Sequence, residues 1–108
     1  MSHITTHVLD NALGTPAAGI AVALSGPTGE LIAMGETDAD GRVGSLGPDA
    51  LPAGDYRLEF QVGAYFAATG RASFFPRVTI DFVITATTAH YHVPLLLSPF
   101  AYSTYRGS

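Results

Sequence analysis

Cysteine and lysine are both absent from the 108 residues of this chain. Without cysteine there is no thiol nucleophile, no disulfide framework and no cysteine metal site, and redox chemistry gives no clue to compartment. Without lysine, Schiff-base chemistry and the lysine of a phosphate-binding loop are excluded. The five basic residues are all arginine: Arg42, Arg57, Arg71, Arg77 and Arg106. Charge is sparse, with Asp, Glu, Lys and Arg making up 13% against about 25% in an average chain. The net charge is −4 and no basic stripe exists, which argues against a nucleic-acid partner. No apolar run approaches the ~18 residues of a membrane span. The start, Met1-Ser2-His3-Ile4-Thr5-Thr6-His7, lacks a charged segment followed by an apolar one, so no secretion signal is read. The closing Arg106-Gly107-Ser108 is not a peroxisomal address. The expected location is the cytoplasm, or the periplasm if a leader was removed.

Hydrophobic residues reach 47%, so the chain can bury a modest core as a single domain over 1–108. Strict alternation marks Asp55 to Val62, with Tyr56, Leu58, Phe60 and Val62 on one face. Arg77 to Ile84 repeats it, with Val78, Ile80, Phe82 and Ile84 inward. Ile20–Leu24 and Leu31–Gly35 flank a hairpin-like break at Ser25–Glu30, and Ile4–Asp10 is a further strand. Asp38-Ala39-Asp40-Gly41 and Gly47-Pro48 mark tight turns. Val62 to Gly70 alone has helical character, so a short helix is expected near residues 63–70. Seven or eight short strands predict an all-β antiparallel sandwich. A sheet protein without lysine lacks a common guard for its strand edges, which points to covered edges and an oligomer.

The last nineteen residues are dense in histidine, tyrosine and arginine, where a chain end is normally bland. They read as two strands around Ser98-Pro99. Alternation puts His90, His92, Pro94 and Leu96 on one face and Tyr91, Val93, Leu95 and Leu97 on the core side. Ser103 and Tyr105 share a face in the last strand, and His7 and Leu9 share one in the first. His7, His92, Ser103 and Tyr105 therefore lie opposite the core, either as the floor of a small polar site or as a wet surface. Two further patterns are weaker. His90, His92 and His7 could be imagined around zinc, but no carboxylate is placed to support them, and no metal is expected. Asp38-x-Asp40-Gly41 echoes a calcium loop without its downstream acidic ligand, so it is read as a turn. His3 is read as a bystander at the chain end, Asp10 as the residue pinning the exit of the first strand, and Arg106 as an ion-pair partner fixing the tail.

His90-Tyr91-His92-Val93-Pro94-Leu95-Leu96-Leu97-Ser98-Pro99, followed by Tyr102-Ser103-Thr104-Tyr105-Arg106-Gly107-Ser108, closely resembles the C-terminal signature of the transthyretin-related proteins, the 5-hydroxyisourate hydrolases. Thr6-His7-Val8-Leu9-Asp10 with Gly14-Thr15-Pro16-Ala17 resembles the family's first strand. Thr37 to Arg42 resembles its arginine turn, and Phe74-Phe75-Pro76-Arg77-Val78 its Phe-Phe-Pro loop. The terminal Tyr-Arg-Gly-Ser is the most diagnostic part, since transthyretin proper carries a different tail.

This resemblance implies a transthyretin-like (prealbumin) sandwich of two four-stranded sheets, a homotetramer built as a dimer of dimers, and sites in the channel between dimers. It implies hydrolysis of 5-hydroxyisourate to 2-oxo-4-hydroxy-4-carboxy-5-ureidoimidazoline in urate degradation, without a cofactor. The implied catalytic positions are His7, Arg42 and His92. Substrate contact falls to Tyr105 and Ser108, with Ser103 on the same face. Histidine suits the proton transfers because its ordinary pKa is ~6.5, and arginine can hold an anion through planar, forked donors. The competing expectations are a transthyretin-like carrier of a small ligand and a purely structural sandwich.

Overall fold

A computed structural model describes residues 2–86 and 88–107. In chain order the elements are β1 (Ile4–Asp10), β2 (Thr15–Pro16), β3 (Ala21–Ser25), β4 (Leu31–Glu36), β5 (Gly54–Phe60), α1 (Val62–Ala68), β6 (Val78–Ile84), β7 (Tyr91–Ser98) and β8 (Ala101–Thr104). They form two four-stranded sheets, ordered β2-β1-β7-β8 and β4-β3-β5-β6. The expected two-sheet sandwich with one short helix is therefore what the chain adopts.

The alternating apolar residues meet between the sheets. From one side come Ile4, Val8, Tyr91, Val93, Leu95 and Leu97; Val22, Leu24, Tyr56, Leu58 and Phe60 face them from the other. Burying each such side chain contributes about 1.5–3 kcal/mol, and it is this layer that fixes which face of β1 and β7 looks outward. All strand pairs are antiparallel except one: β1 runs parallel to β7, with Thr5 opposite His92 and His7 opposite Pro94. An antiparallel reading suits neighbours joined by hairpins. β1 and β7 are separated by the whole second sheet, so no hairpin constrains their direction.

The helix closes one end of the sandwich by burying Val62 and Phe66. It is tied to β1 through Asp10, whose side chain is fully buried. That carboxylate accepts from the Tyr65 hydroxyl at 2.7 Å, from Arg71 Nη2 at 2.5 Å, and from the amides of Ala12 and Leu13 at 3.1 Å each. Burial pushes its pKa up. The hydrogen bonds from Arg71, Tyr65 and the Leu13 amide outweigh this, so the net shift is downward. Asp10 does pin the exit of the first strand.

His3 is not a bystander. It is 4% exposed, and its Nδ1 accepts from the Leu51 amide at 2.8 Å. Its ring meets Tyr91 edge-on with centroids 5.7 Å apart. Nearness to the chain end suggested solvent. The 46–51 segment folds back over the start of β1 and encloses the ring instead.

Candidate active site

Three backbone arrangements bring the candidate side chains together on the outer face of the β2-β1-β7-β8 sheet. The first is the β1–β7 register. It places His7 and His92 on one face of adjacent strands, offset by two residues, a separation of roughly 8 Å between backbones at ordinary strand spacing.

The second is the turn after β4. Asp38 Oδ1 accepts from the amides of Asp40 and Arg42 at 2.9 and 3.0 Å, and its carbonyl accepts from Gly41 at 2.9 Å. This is the tight turn expected there. Its tip pairs with β1: the Val8 amide donates to the Gly41 carbonyl at 2.7 Å, and His7 bridges Arg42 as an isolated antiparallel pair. Gly41 has φ +76°, and a Cβ on it would lie 2.3 Å from the Val8 carbonyl oxygen. Only glycine lets the turn approach this closely.

The third is the C-terminal segment beyond β8, where Gly107 pairs with His92. Continued alternation puts Tyr105, 58% exposed, on the face shared by His92 and Pro94.

The imidazoles are held by distinct partners. His7 Nε2 lies 2.7 Å from the Asp40 carbonyl oxygen. A carbonyl only accepts, so Nε2 carries the proton and the neutral ring keeps Nδ1 as its basic nitrogen. His92 Nδ1 lies 2.8 Å from Thr5 Oγ1. Burial lowers the pKa of His92, and the nearby charges of Arg42, His7 and His90 lower it further. His92 is thus biased toward the neutral ring, and Arg42 is close enough to be felt there.

The remaining expected residues fall as follows. Ser103 is on the outward face but opposite Leu96, four residues along β7 from His92, roughly 13 Å at a strand's rise per residue. Ser108 lies outside the described residues. Arg106 makes no ion pair among the described residues. Its guanidinium sits 4.4 Å above the Tyr91 ring, because the strand alternation that turns Tyr105 outward turns Arg106 toward the core side. A cavity of about 390 Å³ opens there between the sheet edges, lined in part by Ile80, Phe82, Tyr91, Thr104 and Arg106. His92 and Tyr105 line it as well, so it borders the face that carries His7.

Among the described residues, no three histidine or carboxylate side chains gather as a metal site would require. Two contributors escaped the sequence reading. Thr5 was detectable, since alternation puts it on the face of His7. The close packing of Gly107 on His92 had no sequence signal beyond its place in the tail.

The HIUase/Transthyretin family model matches residues 4–107. A 5-hydroxyisourate hydrolase of Caulobacter vibrioides is 48% identical over the full length of both chains. Among solved structures, 5-hydroxyisourate hydrolase of Klebsiella pneumoniae is 48% identical with a TM-score of 0.90, covering 100% of this chain and 94% of that one. Transthyretin from Sparus aurata is 34% identical with a TM-score of 0.92, covering 99% and 97%. With its two-sheet sandwich and a match across nearly every residue, this chain belongs to the HIUase/transthyretin family.

Proposed function

We propose that this hydrolase opens the ring of 5-hydroxyisourate with water, giving 2-oxo-4-hydroxy-4-carboxy-5-ureidoimidazoline. His7, with its Nε2 proton committed to the Asp40 carbonyl, takes a proton from the attacking water at Nδ1. Arg42 holds the anionic substrate and the oxyanion that develops at the attacked carbonyl. His92 contacts the substrate and returns a proton to the leaving nitrogen. Tyr105 walls the pocket, and Ser108 contributes substrate contact. No metal or cofactor takes part.

The observation that supports this reading is geometric: His7 and His92 share one face of adjacent strands, two residues apart in register, and the backbone of Arg42 bridges that of His7. A carrier needs an open apolar channel, not two imidazoles and a guanidinium around one point. The likeness to a fish transthyretin favours the carrier, and the experiment separates the two. Generating 5-hydroxyisourate with urate oxidase and following its ultraviolet decay should show acceleration by this protein. Decay at the spontaneous rate rejects the enzyme.

The working form is proposed to be a homotetramer, a dimer of dimers. The edge strands β6 and β8 end their sheets, and Val83, Phe100, Tyr102 and Tyr105 are exposed on and beside them. Sedimentation should give a mass near four chains; a stable monomer overturns the assembly.

A further inference from the structure

Thr5 and His90 have no part in the reaction outlined above, yet they meet beside His92. Thr5 Oγ1 lies 2.8 Å from His92 Nδ1 and 2.8 Å from His90 Nε2. Alternation sets the two histidines on one face two residues apart, and the parallel register sets Thr5 opposite His92. On its other edge the His92 ring packs against the Gly107 backbone, where an added Cβ would lie 2.5 Å from Cδ2. The ring is clamped at Nδ1 and at Cδ2, which leaves the Nε2 tip as its remaining polar atom.

A threonine hydroxyl has one proton to give and lone pairs that accept. A neutral imidazole has one N–H and one bare nitrogen. Both contacts are made, with the hydroxyl proton used, when one facing nitrogen carries hydrogen and the other does not. The facing atoms are Nδ1 on one ring and Nε2 on the other. The two rings must then share a tautomer: both Nε2–H, with the chain running His90 to Thr5 to His92, or both Nδ1–H, with it reversed.

We propose that Thr5 is a positioning residue for His92, its single hydroxyl proton tying the ring to His90 and matching the tautomers of the two imidazoles. The proton at the Nε2 tip of His92 is then set by two residues that do not touch substrate, as a third group orients the histidine of a catalytic triad. The kinetic consequence rests on the proton-transfer role given to His92; the tautomer match does not.

The test uses the whole protein with 15N-labelled histidine, without substrate, at a pH where both rings are neutral. Long-range 15N–1H spectra, assigned through single histidine substitutions, report which nitrogen is protonated. The expected result is the same tautomer for His90 and His92; opposite tautomers overturn the proposal. Thr5→Val should uncouple the rings and lower kcat on 5-hydroxyisourate at least about tenfold with KM unchanged, while Thr5→Ser restores both readouts. A Thr5→Val protein with unaltered His92 spectra and unaltered kcat overturns it too. Matched tautomers in a protein that does not hydrolyse 5-hydroxyisourate would remove the proposed reaction and leave the Thr5 link standing.

Discussion

The Gly107 amide donates to the His92 carbonyl at 2.8 Å, and the same glycine leaves no room for a side chain, since a Cβ would sit 2.5 Å from Cδ2 of the His92 ring and 3.2 Å from its Cβ and Cγ. The C-terminal segment is thus in direct contact with the imidazole. Gly107→Ala should force either the tail or the ring to move. Because this contact lies at the chain end and outside the core, the thermal midpoint should shift by no more than a few degrees, while kcat falls by roughly a hundredfold from misplacement of the ring. Unchanged turnover would separate the tail from catalysis.

Replacing either imidazole by a group of similar polarity that cannot transfer protons isolates its chemistry. His7→Asn and His92→Asn should each lower kcat by roughly 10²–10⁴, with the fold retained by circular dichroism. Turnover equal to the parent protein in either variant removes that residue from the reaction.

The titration of His92 reports on Arg42. Burial and the Arg42 charge lead the causes that hold the His92 pKa below the ordinary imidazole value. A proton NMR titration should therefore place its midpoint under ~6.5, and Arg42→Gln should move it upward. An unmoved midpoint would mean that the guanidinium does not face the ring. The sign for stability follows. The unfolded chain takes the proton first, so this group lowers stability as pH falls from ~6.5 through the depressed folded value.

Asp10 contributes on the acid side. Its folded pKa lies below the ordinary carboxylate value, so its stabilising effect is present above about pH 4 and is lost as pH falls through that lower value. Arg71→Leu leaves the fully buried carboxylate without its cation and should cost about 3 kcal/mol at pH 7. Urea midpoints of parent and variant should converge at low pH. A constant difference between pH 7 and pH 2.5 overturns this assignment.

Tyr91 offers a spectroscopic check on the rim between the sheets. Its hydroxyl faces Thr85 Oγ1 at 3.4 Å and accepts from the amides of Ala86 and Thr85 at 3.0 and 3.1 Å. Arg106 lies over the ring. These contacts, the Thr85 hydroxyl first, lower its pKa to about 8. Ultraviolet difference titration should show a single tyrosine ionising near pH 8, and Tyr91→Phe should abolish that step. If every tyrosine ionises near 10, the hydroxyl is not held as described.

Much of this protein is written along the chain. The two-residue period of Tyr56, Leu58 and Phe60, and of Tyr91, Val93, Leu95 and Leu97, predicts both the strands and their buried faces, because a pleated strand sends alternate side chains to opposite sides. It follows that His7, His92 and Tyr105 face away from the core, and the Asp-Ala-Asp-Gly turn is equally local. Tertiary structure decided what periodicity cannot carry. The parallel register of β1 with β7 sets Thr5 against His92 across 87 residues, and the reach of a distant turn sets Arg42 beside His7. His3 was buried by a loop more than forty residues away, and Arg106 was turned onto the Tyr91 ring. The physical reason is one of range. Alternation is a property of a residue and its immediate neighbours, whereas which strands meet, and in what register, is decided only when the two apolar faces close on each other.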